Sequence, residues 1–148
     1  MPDEIRVATE DNELSLAEMS AALPDTPAIM EKVGLSWWSM IFAARGGNWG
    51  LAEYYLKRVR KLENTLKVLR PKHRERLERF QEQALPAVSA AVDTRNLDAL
   101  ETAYAAATDL ANELHAESGY PYLRWVLPAE PPQGLQLTEV AEPVVDGV

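Results

Sequence analysis

The chain has no cysteine among its 148 residues. This absence excludes disulfide bonds, cysteine-ligated zinc, iron-sulfur clusters, a thiol nucleophile and thioether-linked haem. No apolar run reaches the roughly 18 residues that a membrane-spanning helix needs. The first residues, Met1 to Glu4, also lack the basic and then apolar pattern of a secretory signal. We therefore predict a soluble, cytoplasmic protein that does not bind a membrane.

Residues that commonly carry catalysis or bind metal are also scarce. The only two histidines are His73 and His115, and neither follows a glutamate three residues earlier, as a di-iron bundle site requires. No serine lies in a Gly-x-Ser-x-Gly turn, and the segment 46–50 lacks the Lys-Ser/Thr ending of a phosphate-binding loop. The sequence therefore predicts no catalytic residue and no metal site, and it favours a chain without catalytic activity of its own. The alternative that stays open is acid-base chemistry with His115, Glu113, Tyr104 or Tyr122, which no residue spacing selects.

Length and composition favour one helical domain with two extensions. A chain of 148 residues that is 47% hydrophobic can bury a single core. Residues 1–24 form an acidic, irregular segment with a short helix over 15–23, and no strand is predicted. Residues 25–127 carry the helical pattern, and residues 128–148 form a Pro-rich acidic tail. The fold class that we predict is all-α, with the core in residues 25–127.

Four amphipathic helices account for residues 25–127. The first is capped by Thr26 and ends before Gly46, and the second runs from Trp49 to Leu69 after an Asn48 cap. The third covers about residues 72–92 with a bend at Pro86, and the fourth runs from an Asn96 cap to about Ser118. The apolar face of the second helix comprises Trp49, Ala52, Leu56, Val59, Leu62 or Leu66, and Leu69. Short connections predict an antiparallel up-down-up-down four-helix bundle.

The tail after residue 127 is too polar and too rich in proline to fold alone. It begins Pro128-Ala129-Glu130-Pro131-Pro132. We predict that it is either disordered or lies on a partner. The residues that would contact the partner are Leu135, Leu137, Val140, Val144 and Val145.

Charge is distributed unevenly along the chain. The net charge is −8, yet residues 57–79 hold ten lysines and arginines against three glutamates, a local net of +7. Because no aromatic residues interleave with these cations and the rest of the chain is acidic, we predict no binding to nucleic acid. An acidic protein partner fits this region better. The predicted contact residues are Lys57, Arg58, Arg60, Lys61 and Arg74.

Two motifs and the helix pattern resemble those of the cytochrome c-prime-like four-helix bundles over about residues 27–127. The motifs are Gly47-Asn48-Trp49-Gly50-Leu51-Ala52, which opens the second helix, and the stretch from Ala111 to Tyr122. In that family two cysteines attach haem and the histidine that follows them ligates iron. The matching positions here are Ala111, Leu114 and His115, so both covalent anchors are missing. The resemblance therefore implies a four-helix fold without covalent haem.

Two functions from different classes follow from this pattern. The first is a haem-free accessory or binding subunit that acts through a protein partner or as a homodimer, without a cofactor. The alternative is a site for a small hydrophobic ligand, or for non-covalent haem, near His115. The residues predicted to line that site are His115, Trp37, Trp38, Tyr104 and Tyr122. His115 could instead interact with the dipole of its helix or form a hydrogen bond with Tyr120 or Tyr122.

Overall fold

The computed structural model describes residues 4–140, and the protein is mostly helical, as the sequence predicts. Within these residues there are six α-helices, one 3-10 turn and one two-stranded sheet. Val144 and Val145 lie outside the described residues. The elements are β1 (Arg6–Ala8), β2 (Glu13–Ser15), α1 (Leu16–Ala22), α2 (Thr26–Arg45), α3 (Trp49–Leu69), the 3-10 turn (Pro71–His73), α4 (Arg74–Gln83), α5 (Leu85–Asp93) and α6 (Leu97–Glu117).

The N-terminal segment contains a β-hairpin that the sequence analysis missed. Strands β1 and β2 pair antiparallel, with Val7 opposite Leu14. The turn between them is held by Thr9, whose hydroxyl oxygen accepts a hydrogen bond of 3.0 Å from the backbone N–H of Asn12. Each strand has only three residues, and Val7 and Leu14 are the hairpin's half-buried apolar side chains, so the alternating apolar pattern is too short to be recognised in the sequence. The short helix predicted for residues 15–23 is confirmed as α1.

Side-chain caps fix the starts of the long helices. The Asp25 carboxylate accepts a hydrogen bond of 2.9 Å from the N–H of Ala28, so Asp25 caps α2 and the predicted Thr26 cap is wrong by one residue. The predicted caps Asn48 and Asn96 are both confirmed, for α3 and α6 respectively. A free backbone N–H at each helix start thereby gains a hydrogen-bond partner.

The third predicted helix is divided into α4 and α5. The break falls at Ala84, two residues before Pro86, which is one of the first residues of α5. Proline cannot donate a hydrogen bond to the preceding turn, and its ring crowds the carbonyl four residues earlier. The expected bend is therefore a complete interruption between two short helices.

The long helices bury one continuous core. Helix α2 packs most extensively on α3, α5 packs on α6, and α3 also contacts both α4 and α5. Helix α6 completes the enclosure through contacts with α2 and α4. The fully buried side chains that define the core include Met40, Ile41, Val59, Leu85, Val88 and Leu100. None of the helices formed by the described residues is long and apolar enough to cross a membrane.

Residues 119–140, which we call the C-terminal strap, lie on the protein's own helices. The indole N–H of Trp38 donates to the carbonyl of Glu130 at 3.0 Å, and the Asn48 amide donates to the carbonyl of Gln136 at 2.9 Å. Gly47 also forms a β-bridge with Thr138. The predicted disordered or partner-bound tail is therefore wrong for this described part. Neither a disordered tail nor a partner-bound one takes account of polar side chains of α2 and of the α3 cap that form hydrogen bonds with the strap's backbone carbonyls.

Candidate functional site

A largely apolar cavity of about 740 Å³ lies at one end of the helices. Its walls come from the first half of α2, the second half of α3, the 3-10 turn, α4, the end of α6 and the strap. Its apolar walls include Met30, Leu66, Leu77, Phe80, Leu114 and Trp125. A volume of this size lies within the range of small-molecule sites.

The cavity exists because α4 supplies few apolar side chains. Helix α4 has the sequence Arg-Glu-Arg-Leu-Glu-Arg-Phe-Gln-Glu-Gln, and only Leu77 and Phe80 are buried. The facing helices contribute small residues, Gly34 on α2 and Ala111 on α6. Two apolar residues over ten positions cannot fill the space opposite such small neighbours. The space between α4 and the facing helices α2 and α6 is therefore left open.

Glu63 is a buried carboxyl group on the wall of this cavity. Its residue is 3% exposed, and it belongs to the buried face of α3. Burial raises the pKa of Glu63 to about 7, and the only described side chain that donates a hydrogen bond to it is Gln81, at 3.1 Å. Gln81 in turn accepts a hydrogen bond of 2.9 Å from the Lys67 ammonium. The cavity therefore offers a buried carboxyl group with a raised pKa among its apolar walls.

The sequence analysis missed Glu63, although its position was visible there. Buried residues on α3 recur at alternating intervals of four and three, through Ala52, Leu56, Val59, Glu63 and Leu66. A carboxylate in the middle of an apolar stripe must be desolvated when the helix packs. Such a residue is a candidate for function because its burial is costly.

His115 lines the cavity and is half-buried. Its Nδ1 lies 3.1 Å from the backbone carbonyl oxygen of Leu123, so Nδ1 carries the proton and donates. In the neutral ring Nε2 then keeps its lone pair. Burial lowers the pKa of His115, and the hydrogen bond to Leu123 opposes that shift. His115 therefore contacts the strap backbone rather than Tyr120 or Tyr122.

Asn112 fixes Trp125, which forms part of the cavity wall. The buried Asn112 amide donates to the carbonyl of Trp125 at 2.9 Å and accepts from its N–H at 2.7 Å. The Trp125 ring packs over Gly34, where an added Cβ would lie 3.4 Å from it. The ring also meets His115 edge-to-face at 5.6 Å between centroids. In the sequence, the signal for this pair of hydrogen bonds was an amide side chain, Asn112, on the apolar face of α6.

The structure brings only one of the five predicted ligand-binding residues to the cavity, namely His115. Trp37 lies in the core, where it stacks on Tyr104 at 4.6 Å and its indole N–H donates to Thr108 at 3.0 Å. Burial raises the pKa of Tyr104, which fits this core position. Trp38 holds the strap, and Tyr122 is 78% exposed.

The predicted partner-binding residues lie on the outer surface of α3 and on α4. Lys57, Arg60, Lys61 and Arg74 are exposed, and Arg58 is partly buried. Three of them, Lys57, Arg60 and Lys61, border a shallow hollow that also contains Val68, which is 71% exposed. Lys57 forms an ion pair of 3.0 Å with Glu53 one turn earlier. This outer basic face is separate from the cavity.

A second group of cations lies along the cavity. Arg70, Lys72 and Arg76 all line it, and none of the three forms an ion pair with a described carboxylate within 4.0 Å. They surround His73, which also lines the cavity. Burial lowers the pKa of His73, and the charges of Lys72, Arg76 and Arg70 lower it further. The potential at this edge of the cavity is therefore positive.

The described residues contain no group of three histidines or carboxylates placed to hold a metal ion. Comparison with known proteins finds no matching family model, no matching curated protein and no matching solved structure.

Proposed function

We propose that this protein binds a small, mostly apolar molecule in the cavity between α2, α3, α4 and α6. The observation that carries the proposal is a space of about 740 Å³ with largely apolar walls and a few convergent polar groups. The polar groups are Glu63, which is neutral when protonated, and His115, whose Nδ1 is fixed by Leu123. Apolar walls provide the affinity, and these polar groups orient the ligand.

The test is titration with N-phenyl-1-naphthylamine, a neutral apolar dye whose fluorescence rises in an apolar site. The wild type should bind about one equivalent. Ala111→Phe places a ring in the cavity and should weaken binding at least about tenfold, because the dye and the ring cannot share the space. Ala106→Phe is the matched control, because Ala106 is exposed on the same helix.

Circular dichroism of both variants verifies that they remain helical. Absence of saturable dye binding by the wild type would contradict the proposal. Equal weakening by Ala111→Phe and Ala106→Phe would place the dye elsewhere on the molecule.

Non-covalent haem is a second candidate ligand, because one observation favours it. A histidine whose Nδ1 donates to a backbone carbonyl has the tautomer that metal-binding histidines commonly adopt. His115 meets this condition, and Met30 and His73 line the same cavity as further donors. Haem would supply redox or gas-binding chemistry there, while His115 would hold the iron and the apolar walls would exclude water. A Soret band on haem addition that His115→Ala abolishes would support it, and the absence of such a band would reject it.

A separate proposal concerns the fold. We infer that α2, α3, the α4–α5 pair and α6 form an up-down-up-down four-helix bundle of the cytochrome c-prime-like type that has lost its cysteine anchors. The sequential pairing of α2 with α3 and of α5 with α6 supports this inference. An experimental structure would test it through the handedness and order of the four helical units.

The accessory-subunit function also remains a proposal, and it uses a different surface. The outer basic face, with exposed Lys57, Arg60 and Lys61 around Val68, has the charge to contact an acidic protein. Homodimerisation is the self-association form of the same idea. Size-exclusion chromatography with light scattering, together with affinity purification from the native host, would contradict it by finding a monomer without a partner.

A further inference from the structure

The apolar face of α3 ends in a cation at the cavity. Leu66 is followed by Arg70 one turn later, so both lie on the same side of α3, and both line the cavity. Lys72 and Arg76 add two further cations from the 3-10 turn and α4. Arg70 and Arg76 are both half-buried. Their known hydrogen bonds go to backbone carbonyls of neighbouring residues, Leu69 and Lys72 respectively.

Arg70 lies about two helical turns from the buried acid. Glu63 is on α3 and Arg70 caps the end of the same helix, so their seven-residue separation corresponds to about 10 Å along the helix axis. Leu66 lies between them on the cavity wall. The polar groups are therefore separated by an apolar section, and the cavity has a cationic end and an apolar interior.

Two carboxylates partly offset the cations. Asp25 and Glu31 line the cavity from α2, but the Asp25 carboxylate already accepts the capping hydrogen bond from Ala28. Neither carboxylate lies within 4.0 Å of a described lysine or arginine. The cations are thus not neutralised by direct pairing, and each retains hydrogen-bond donors for an anion.

We propose that the ligand is a single-chain amphiphile with an anionic head group, a carboxylate or a phosphate, bound at Arg70, Lys72 and Arg76 with its chain in the apolar interior. This inference rests on the proposed function, because it names the chemical class of the molecule that occupies the same cavity. A cationic head would be repelled by the three charges. A fully neutral chain would gain no charge-assisted hydrogen bond from them.

The test measures displacement of N-phenyl-1-naphthylamine by decanoate, decyl phosphate, decanol and decylamine. Decanoate or decyl phosphate should compete best with the dye in the wild type. The double variant Arg70→Gln/Arg76→Gln should weaken competition by the preferred anion about tenfold, because charge-assisted hydrogen bonds to the head are lost. It should change competition by decanol less than about twofold. The preference between carboxylate and phosphate identifies the head group.

The matched control is Arg60→Gln/Lys61→Gln, which removes the same charge from the outer basic face of α3. This control should leave competition by the anion unchanged. The comparison distinguishes an effect of the protein's net charge from a direct contact with the head group. The imidazole of His73 gives a second reading by NMR titration. A bound anion should raise its pKa from the lowered value of the free protein, and decanol should not.

The outcomes separate the two proposals. If the dye binds but decanol or decylamine competes better than either anion, or if the Arg70→Gln/Arg76→Gln variant and its control behave alike, the head-group inference is overturned and ligand binding stands. If the dye does not bind, the proposed function fails, and the head-group inference fails with it because it concerns the same cavity.

Discussion

The two ends of the helices are built from the same long elements, yet one end is filled and the other is hollow. The filled end contains the last turns of α2, the first turns of α3, helix α5 and the start of α6. There Met40, Ile41, Ala43 and Leu100 are completely buried. At the opposite end the same helices, with α4 in place of α5, enclose a cavity of about 740 Å³.

The contrast follows from the two short helices. Helix α5, with the sequence Leu-Pro-Ala-Val-Ser-Ala-Ala-Val-Asp, buries Leu85, Val88, Ala91 and Val92 within nine residues. Helix α4 buries two side chains within ten residues. The break at Ala84 thus separates α4, which buries few apolar side chains, from α5, which buries many. The cavity arises here because α4 supplies few apolar side chains.

Truncating leucines should give the largest difference between the two ends. Leu100→Ala empties a packed site and should lower the free energy of unfolding by about 4 kcal/mol, whereas Leu114→Ala enlarges an existing cavity and should cost about 2 kcal/mol. Denaturant unfolding of both variants measures the two values. Equal losses would mean that the cavity end is packed as tightly as the filled end.

Glu63 should make stability depend on pH. Its pKa is about 7 in the folded protein against an ordinary 4.5, so the folded state holds the proton more strongly. Glu63 therefore contributes its full stabilisation below pH 4.5, and this contribution is lost as the pH rises through about 7. The free energy of unfolding should fall by about 3 kcal/mol over this range.

Glu63→Gln keeps a hydrogen-bond acceptor for Gln81 but does not titrate. Denaturant unfolding between pH 4.5 and 8 should therefore show a smaller decline for this variant than for the wild type. The comparison cancels the titrations of His73 and His115, which the two proteins share. Parallel curves would show that Glu63 titrates normally and is not desolvated.

Gly46 should report on how the strap closes the filled end. An added Cβ at Gly46 would overlap the backbone carbonyl of Leu137, so Gly46→Ala should destabilise the protein by about 2 kcal/mol. At Gly50 the nearest atom is an Asn48 side-chain oxygen at 3.9 Å. Gly50→Ala should therefore stabilise α3 by about 0.5 kcal/mol. Thermal unfolding would disprove the strap contact if both substitutions shifted stability in the same direction.

Removing a surface ion pair should give the smallest difference in stability cost between the two ends. Arg45 contacts Glu101 through two hydrogen bonds of 2.6 and 2.9 Å, whereas Arg79 contacts Glu117 at 2.8 and 3.4 Å. Arg45→Gln should cost about 1 kcal/mol and Arg79→Gln about 0.5 kcal/mol, because solvent weakens both pairs. Both losses should shrink in 1 M NaCl. A cost that does not depend on salt would point to packing of the arginine stems instead.

Local patterns were sufficient to predict most helix positions. The predicted starts and ends of α3 and α6 agree with the structure because Asn48, Asn96 and Gly119 act on the neighbouring backbone. The hairpin was missed because each strand has three residues, too few to produce a recognisable alternation of apolar and polar side chains. Of the residues predicted to line a ligand site, His115 lines the cavity, whereas Trp37 and Tyr104 lie in the core because the apolar faces of α2 and α6 stack their rings on each other.

The sequence by itself determined the helices, the absence of cysteine chemistry and the concentration of cations in residues 57–79, because these depend on residue type and on spacing along one chain. Only the tertiary structure decided that Glu63 is buried, that the cations divide between an outer face and the cavity, and that the strap folds back on α2. Those outcomes depend on which side chains fill the space between helices distant in sequence. Helical periodicity defines a face but not the volume that its neighbours leave open.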